Sequence, residues 1–214
     1  MLSEIREMLR LQDSVNTKIN TDWINAGHQY SRAILVEAVE AIDHVGWKWW
    51  SKQIPKTAQV RLELVDIWHF ALSIFLIDSS GDQEAAAQVV HSAWTSAKVD
   101  PLVAGLAMKE PSNLLEKLER IAGVAAFGRF DLTMFRSAAD DVGLSFEQLF
   151  REYVSKNVLN HFRQDHGYKS GTYTKIWSGK EDNEHLLDVL NSLQVPADQL
   201  ARALYAELET RYPR

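Results

Sequence analysis

The sequence predicts an all-α protein, a helical bundle, on three observations. Apolar residues recur at helical spacing through most of the 214 residues. Runs rich in β-branched residues with a period of two are missing. Several segments also open or close on the local signals that helix ends require. The candidate helices cover residues 3–19, 28–45, 57–78, 82–97, 112–127, 145–164, 181–194 and 197–211.

Taken in order, the first segment alternates charged with apolar residues and carries Gln12 and Asn16 one helical turn apart. The second sets Glu37 and Glu40 among Ile34, Leu35, Val36, Ala38, Val39, Ala41 and Ile42. After the connection "GWKWWSKQIPK", the third is apolar nearly all round, with a narrow polar stripe of Glu63, Asp66, His69 and Ser73. "SSGD" at 79–82 reads as a stop and a turn before the fourth. Residues 98–144 hold Pro101, Pro111 and several glycines between short helical runs, which reads as an inserted helical subdomain beside the main bundle. "SFEQ" at 145–148 fits a capping box for the long helix that follows. Pro196 suits the first turn of the last helix, where its missing N–H costs nothing. No repeat or low-complexity segment interrupts this order, and the length suits one domain over 1–214.

Composition narrows the function. The 23 Lys and Arg against 29 Asp and Glu give a formal charge of −6, which disfavours general binding to a nucleic acid backbone. The absence of cysteine removes disulfides, thiolate-held zinc and a thiol nucleophile. The first residues lack the apolar run of a signal peptide, and no stretch approaches the ~18 apolar residues of a membrane span. A soluble cytoplasmic protein is the expectation.

An ionised carboxylate taken out of water is costly unless something compensates it. Glu37 and Glu40 lie three residues apart and share one helix face, and Glu63 and Asp66 do the same. If these apolar helices are antiparallel neighbours, their stripes meet and gather four carboxylates inside the bundle. Such a cluster repels itself unless protons or cations bind. One E-x-x-E is common on solvated faces, and both stripes facing outward is the alternative. Two pairs on adjacent apolar helices point to a divalent cation. All-oxygen ligands suit Mg²⁺ or Mn²⁺.

A metal held by carboxylates commonly meets substrate phosphates, and "SKNVLNHFRQDHGYKSGTYTKIW" at 155–177 is the best cationic candidate. Lys156, Asn160 and Arg163 share a helix face, with Asn157, Asn160 and Gln164 on an overlapping one. Tyr168, Lys169 and Lys175 follow in a loop whose glycines allow close approach to a ligand. The alternative is a solvated helix end and surface loop. If the segment is a binding site, Arg163→Ala and Lys175→Ala are expected to weaken turnover without unfolding the protein, since surface truncations typically change stability by only about 0.5 kcal/mol.

These residues resemble the dimeric all-α dUTPases of the all-α NTP pyrophosphatase superfamily. The resemblance rests on E-x-x-E with E-x-x-D, the "WKWW" connection, the "LQ-D-S-x-N" helix and the run "KN-x-LN-x-FRQ-x-x-GYK-x-G-x-Y-x-K-x-W". It spans residues 11 to about 70 and 145 to 177, with Gly46 where the pattern often has proline. It implies hydrolysis of dUTP to dUMP and pyrophosphate, and also of dUDP, by a homodimer. Mg²⁺ would be held by Glu37, Glu40, Glu63 and Asp66, with Glu37 also activating water. Lys156, Arg163, Tyr168, Lys169 and Lys175 would hold phosphates. Gln12, Asn16, Trp23, Trp47, Asn157 and Asn160 would contact base or sugar. His44 and His69 border the acidic stripes as packed or supporting histidines. Two rivals stay open: the same fold acting on dCTP or other nucleoside triphosphates, and a non-catalytic helical module that holds a metal or a partner.

Overall fold

A computed structural model describes residues 1–96, 110–195 and 197–213. Two compact units divide the chain, Met1–Leu149 and Phe150–Arg214. Nine helices make up nearly all the regular structure among the described residues: α1 (Leu2–Ile19), α2 (Tyr30–Val45), α3 (Thr57–Asp78), α4 (Gln83–Ser96), α5 (Leu114–Ala126), α6 (Leu132–Asp141), α7 (Phe146–Asp165), α8 (Asp182–Ser192) and α9 (Ala197–Arg211). The all-α class is as the sequence predicts, and the expected helix ends lie within two residues of those observed, the usual uncertainty of fraying termini.

In the first unit, α3 is the central element. Leu64, Ile67, Trp68, Ala71 and Leu72 are fully buried, and the helix contacts α1, α2, α4 and α6. Trp68 stacks on Phe135 at 5.3 Å and meets Trp94 edge-on at 5.6 Å. Helix α2 packs along α3 on one side and α5 on another. It stops at Gly46, whose φ of +81° favours glycine and whose absent Cβ would sit 3.4 Å from the Pro55 ring. A left-handed glycine just past a helix is a standard terminator, which explains why this chain closes α2 with glycine. The "SSGD" stop is equally local: the Gly81 N–H donates to Leu76 O at 2.8 Å, and the Asp82 carboxylate accepts from the Glu84 and Ala85 N–H groups opening α4.

Residues 110–144 contribute α5 and α6 to this unit, α5 contacting α2 and α6 contacting α3 and α4. Residues 98–109, with Pro101, and the first-turn reading of Pro196 lie outside the described residues. Helix α6 was expected only as one of several short helical runs. Its start is marked by Asp131, whose carboxylate accepts from Met134 N–H at 3.0 Å and pairs with buried Arg120. The capping box of α7 forms as expected: Ser145 Oγ accepts from Gln148 N–H at 3.3 Å, and Gln148 Oε1 from Ser145 N–H at 2.9 Å.

The second unit holds the rest of α7, then α8 and α9. Its core gathers Phe162, Trp177, Leu186, Val189, Leu200, Leu204 and Leu208. Just after the loop that carries Lys175, where the sequence predicts no strand, lies a two-stranded antiparallel hairpin, β1 (Ile176–Trp177) with β2 (Lys180–Glu181). Strands of two residues carry no detectable alternation, and only the turn residues Ser178 and Gly179, both at positive φ, betray them in sequence.

Candidate active site

The burial of an apolar stripe on both sides forces the polar residues of α3 into one line, where Glu63 and Asp66 are one turn apart. Neighbouring α2 brings Glu37 alongside. One carboxylate oxygen from each of Glu37, Glu63 and Asp66 lies within 4.8 Å of the others. The Glu63 side chain is only 12% exposed, and His44 Nε2 of α2 approaches its Oε1 at 3.4 Å. Glu40 lies outside this group, on an exposed position one turn further along α2. Three of the four expected carboxylates therefore converge. Hard, anionic oxygens at this spacing are what a divalent cation requires.

The α3 stripe continues past the carboxylates into a chain of buried hydrogen bonds. Gln12 and Asn16 of α1 are 4% and 5% exposed. Gln12 Nε2 donates to Asn16 Oδ1 at 3.1 Å, and Asn16 Nδ2 donates to Ser73 Oγ at 2.9 Å. The Ser73 hydroxyl donates in turn to the His69 carbonyl at 3.2 Å, while His69 Nδ1 bonds the Val65 carbonyl at 2.9 Å. His69 is thus a buried supporting residue.

The two tryptophans differ. Trp23 is buried, and its Nε1 donates to Asp13 at 2.9 Å on the wall of a cavity of about 610 Å³. Trp47 is 40% exposed and meets Trp50 edge-on at 5.2 Å, with Trp50 in edge contact with the 90% exposed Trp49.

In the second unit, the cationic residues are more engaged than a solvated face implies. Arg163 donates from Nε and Nη2 to the two oxygens of Asp182, at 2.8 and 2.9 Å. Tyr173 Oη donates to the same carboxylate at 2.8 Å. Burial pushes the Asp182 carboxyl up, but the Arg163 hydrogen bonds and charge outweigh it and leave the group below its ordinary value. For the Tyr173 phenol, burial and the Asp182 charge act together and hold it well above its ordinary range. Lys156 is buried and donates to Asn183 Oδ1 at 3.2 Å. Asn160 accepts weakly from Arg163 Nη1 at 3.4 Å. Tyr168, under the Arg163 guanidinium at 5.7 Å, is half exposed, as is Lys175, which pairs with Glu181 at 3.2 Å. Lys169 is exposed. Asn157 is 1% exposed, yet neither atom of its carboxamide meets a hydrogen-bond partner among the described residues. Gly167 shapes the loop, since at φ +86° a Cβ there would lie 2.0 Å from Thr172 Oγ1.

The sequence reading missed Asp182, Asn183 and Tyr173 as partners of these cations. "GKEDN" announces acids at a helix start, but nothing local says that one of them reaches back to Arg163.

A family model described as dUTPase matches residues 4–168. The chain belongs to the dUTPase family. The match takes in the three converging carboxylates, Gln12, Asn16 and the cationic helix through Tyr168, whereas Lys169, Lys175 and Asp182 lie beyond it. As a dUTPase, the protein is an all-α dUTP diphosphatase, and the non-catalytic alternative finds no support in that membership. Comparison with curated proteins gives no significant match. Among the described residues of this dUTPase, no helix is long and apolar enough to cross a membrane.

Proposed function

We propose that this dUTPase converts dUTP to dUMP and pyrophosphate, and also accepts dUDP, with Mg²⁺ as cofactor and Mn²⁺ as its substitute. The observation that carries the metal reading is the convergence of Glu37, Glu63 and Asp66 on two otherwise apolar helices. Their donor set fits a hard divalent cation, and Glu40 would complete it from the rim. Bound there, the cation would neutralise the charge that develops on the transferred phosphoryl group. Glu37 orients the attacking water and takes its proton, as a carboxylate within hydrogen-bond reach can. Lys156, Arg163, Tyr168, Lys169 and Lys175 hold phosphate oxygens. Gln12, Asn16, Trp23 and Trp47 serve the base, and Asn157 and Asn160 the sugar. The unsatisfied carboxamide of Asn157 supports a ligand role, because a buried polar group without a partner is costly and rare.

A nucleotide panel tests this reading. With Mg²⁺ present, pyrophosphate release is expected from dUTP well ahead of dCTP and the other triphosphates, and phosphate release from dUDP. Excess EDTA should abolish both, and either Mg²⁺ or Mn²⁺ should restore them. Faster turnover of dCTP would replace the substrate, and full activity in EDTA would remove the metal.

We also propose a homodimer. Val36 and Val39 are about half exposed on α2, and Trp49, Trp50 and Ile54 are more so in the connection that follows. Apolar exposure of this kind commonly marks an interface. Sedimentation at micromolar concentration should give twice the chain mass of 24.4 kDa. A stable monomer would exclude the dimer.

A further inference from the structure

The hydroxyl of Ser73 sits at the end of a chain of side chains that has a direction. A serine inside a helix can donate to the carbonyl four residues back, and Ser73 does so, to His69. With its only proton committed, the Ser73 oxygen acts toward Asn16 solely as an acceptor. The amide nitrogen of Asn16 must therefore face Ser73 and its carbonyl must face Gln12, which answers with its own amide nitrogen. The polarity of both carboxamides is thus set from Ser73. All three side chains are at least nine-tenths buried, with Ser73 fully so, and water cannot readily supply an alternative partner.

We infer that Ser73 is a specificity-determining residue, which fixes the donor and acceptor sense of Asn16 and Gln12 and so sets the preference for uracil over cytosine nucleotides. The inference rests on the proposed role of Gln12 and Asn16 as base-contacting groups. The chemistry of the two bases is what gives orientation its value. Uracil presents a ring N–H beside a carbonyl, and cytosine presents a bare nitrogen beside an amino group, so donor and acceptor are exchanged along that edge. A carboxamide matches one base in one orientation and the other base when flipped. Discrimination then requires a group that forbids the flip, because a site whose buried polar groups stay unpaired with the wrong base rejects it. Ser73 touches neither carboxylates nor phosphates in this scheme. It is a positioning residue, acting through Asn16.

The test is the ratio of kcat/KM for dUTP to that for dCTP in the full-length protein. In Ser73→Ala the anchor is gone, and the ratio is expected to fall about tenfold, the scale of one hydrogen bond. Most of the change should come from improved use of dCTP and a raised KM for dUTP, with kcat for dUTP altered far less. Ser73→Thr retains a hydroxyl able to donate to the same carbonyl and should restore the ratio. Should the alanine variant not fold, Ser73→Cys fills the site but donates weakly, and the same fall is expected. A merely structural Ser73 would lower activity on both nucleotides together and leave the ratio where it was, which overturns the proposal. Parent protein that hydrolyses dUTP and dCTP alike would overturn the base-contact reading itself. Parent protein that discriminates while the alanine and cysteine variants discriminate equally well would overturn the Ser73 assignment alone.

Discussion

Glu37→Gln is expected to lose dUTP turnover by about 10²-fold or more while keeping its fold. Glutamine preserves the volume of the side chain on α2 and one carbonyl oxygen, but it has no basic carboxylate to accept a proton from water. General base catalysis commonly contributes on this scale. Glu37 also stands with Glu63 and Asp66 in a group whose oxygens lie within 4.8 Å of one another. Neutralising one member relieves mutual repulsion, so in EDTA the variant should melt at a temperature no lower than the parent in EDTA. A glutamate that instead held the fold through a buried ion pair would cost ~3–5 kcal/mol when neutralised. Turnover and thermal melting of the same preparations separate these cases. A fully active variant would remove Glu37 as the base, and an inactive variant that has simply unfolded would assign it to structure.

The carboxylate site was legible in sequence because each of its signals is local. A helix that is apolar nearly all round leaves its polar residues conspicuous, and spacing of three or four residues says which of them share a face. That logic located Glu37, Glu63, Asp66 and His69, and it placed Gln12 beside Asn16. It also gave the helix ends at "SSGD" and at Ser145, where one or two side chains meet the backbone nearby. What it could not reach was set by tertiary geometry. Glu40 is exposed and outside the carboxylate group although it shares the E-x-x-E with Glu37. Ser73 was visible as the end of a stripe, but its hydrogen bond to Asn16 joins residues 57 apart in sequence. The two strands of the hairpin are too short to carry a period. The burial of Lys156 and Arg163 is likewise non-local, since their partners lie 27 and 19 residues further along.

Arg163 shows the consequence most sharply, and its removal should damage stability as well as activity. Read from sequence, it is a phosphate-binding candidate on a surface helix end, where truncation typically changes stability by only about 0.5 kcal/mol. In the structure its guanidinium forms a two-point pair with Asp182, whose side chain is fully buried while that of Arg163 is 13% exposed. Arg163→Met leaves a carboxylate in the interior that, of the hydrogen bonds formed among the described residues, keeps those from Tyr173 and the Asn183 N–H. Removing one partner of such a pair typically costs ~3–5 kcal/mol, whereas replacing both by apolar side chains is often neutral. Urea unfolding should therefore show a large loss for Arg163→Met and recovery of most of it in Arg163→Met with Asp182→Leu. The pair also fixes a pH dependence. Asp182 is held below its ordinary value of 3.8, so its contribution to stability is complete above that value and is lost as pH falls through the lower folded value. The acid limb of the stability curve should consequently flatten in the double variant. Turnover distinguishes the second role proposed for Arg163: if the guanidinium also holds phosphate, the refolded double variant remains poorly active toward dUTP, with a raised KM. Parent-like stability of Arg163→Met would refute the buried pair, and parent-like turnover of the stable double variant would free Arg163 from any part in binding the nucleotide.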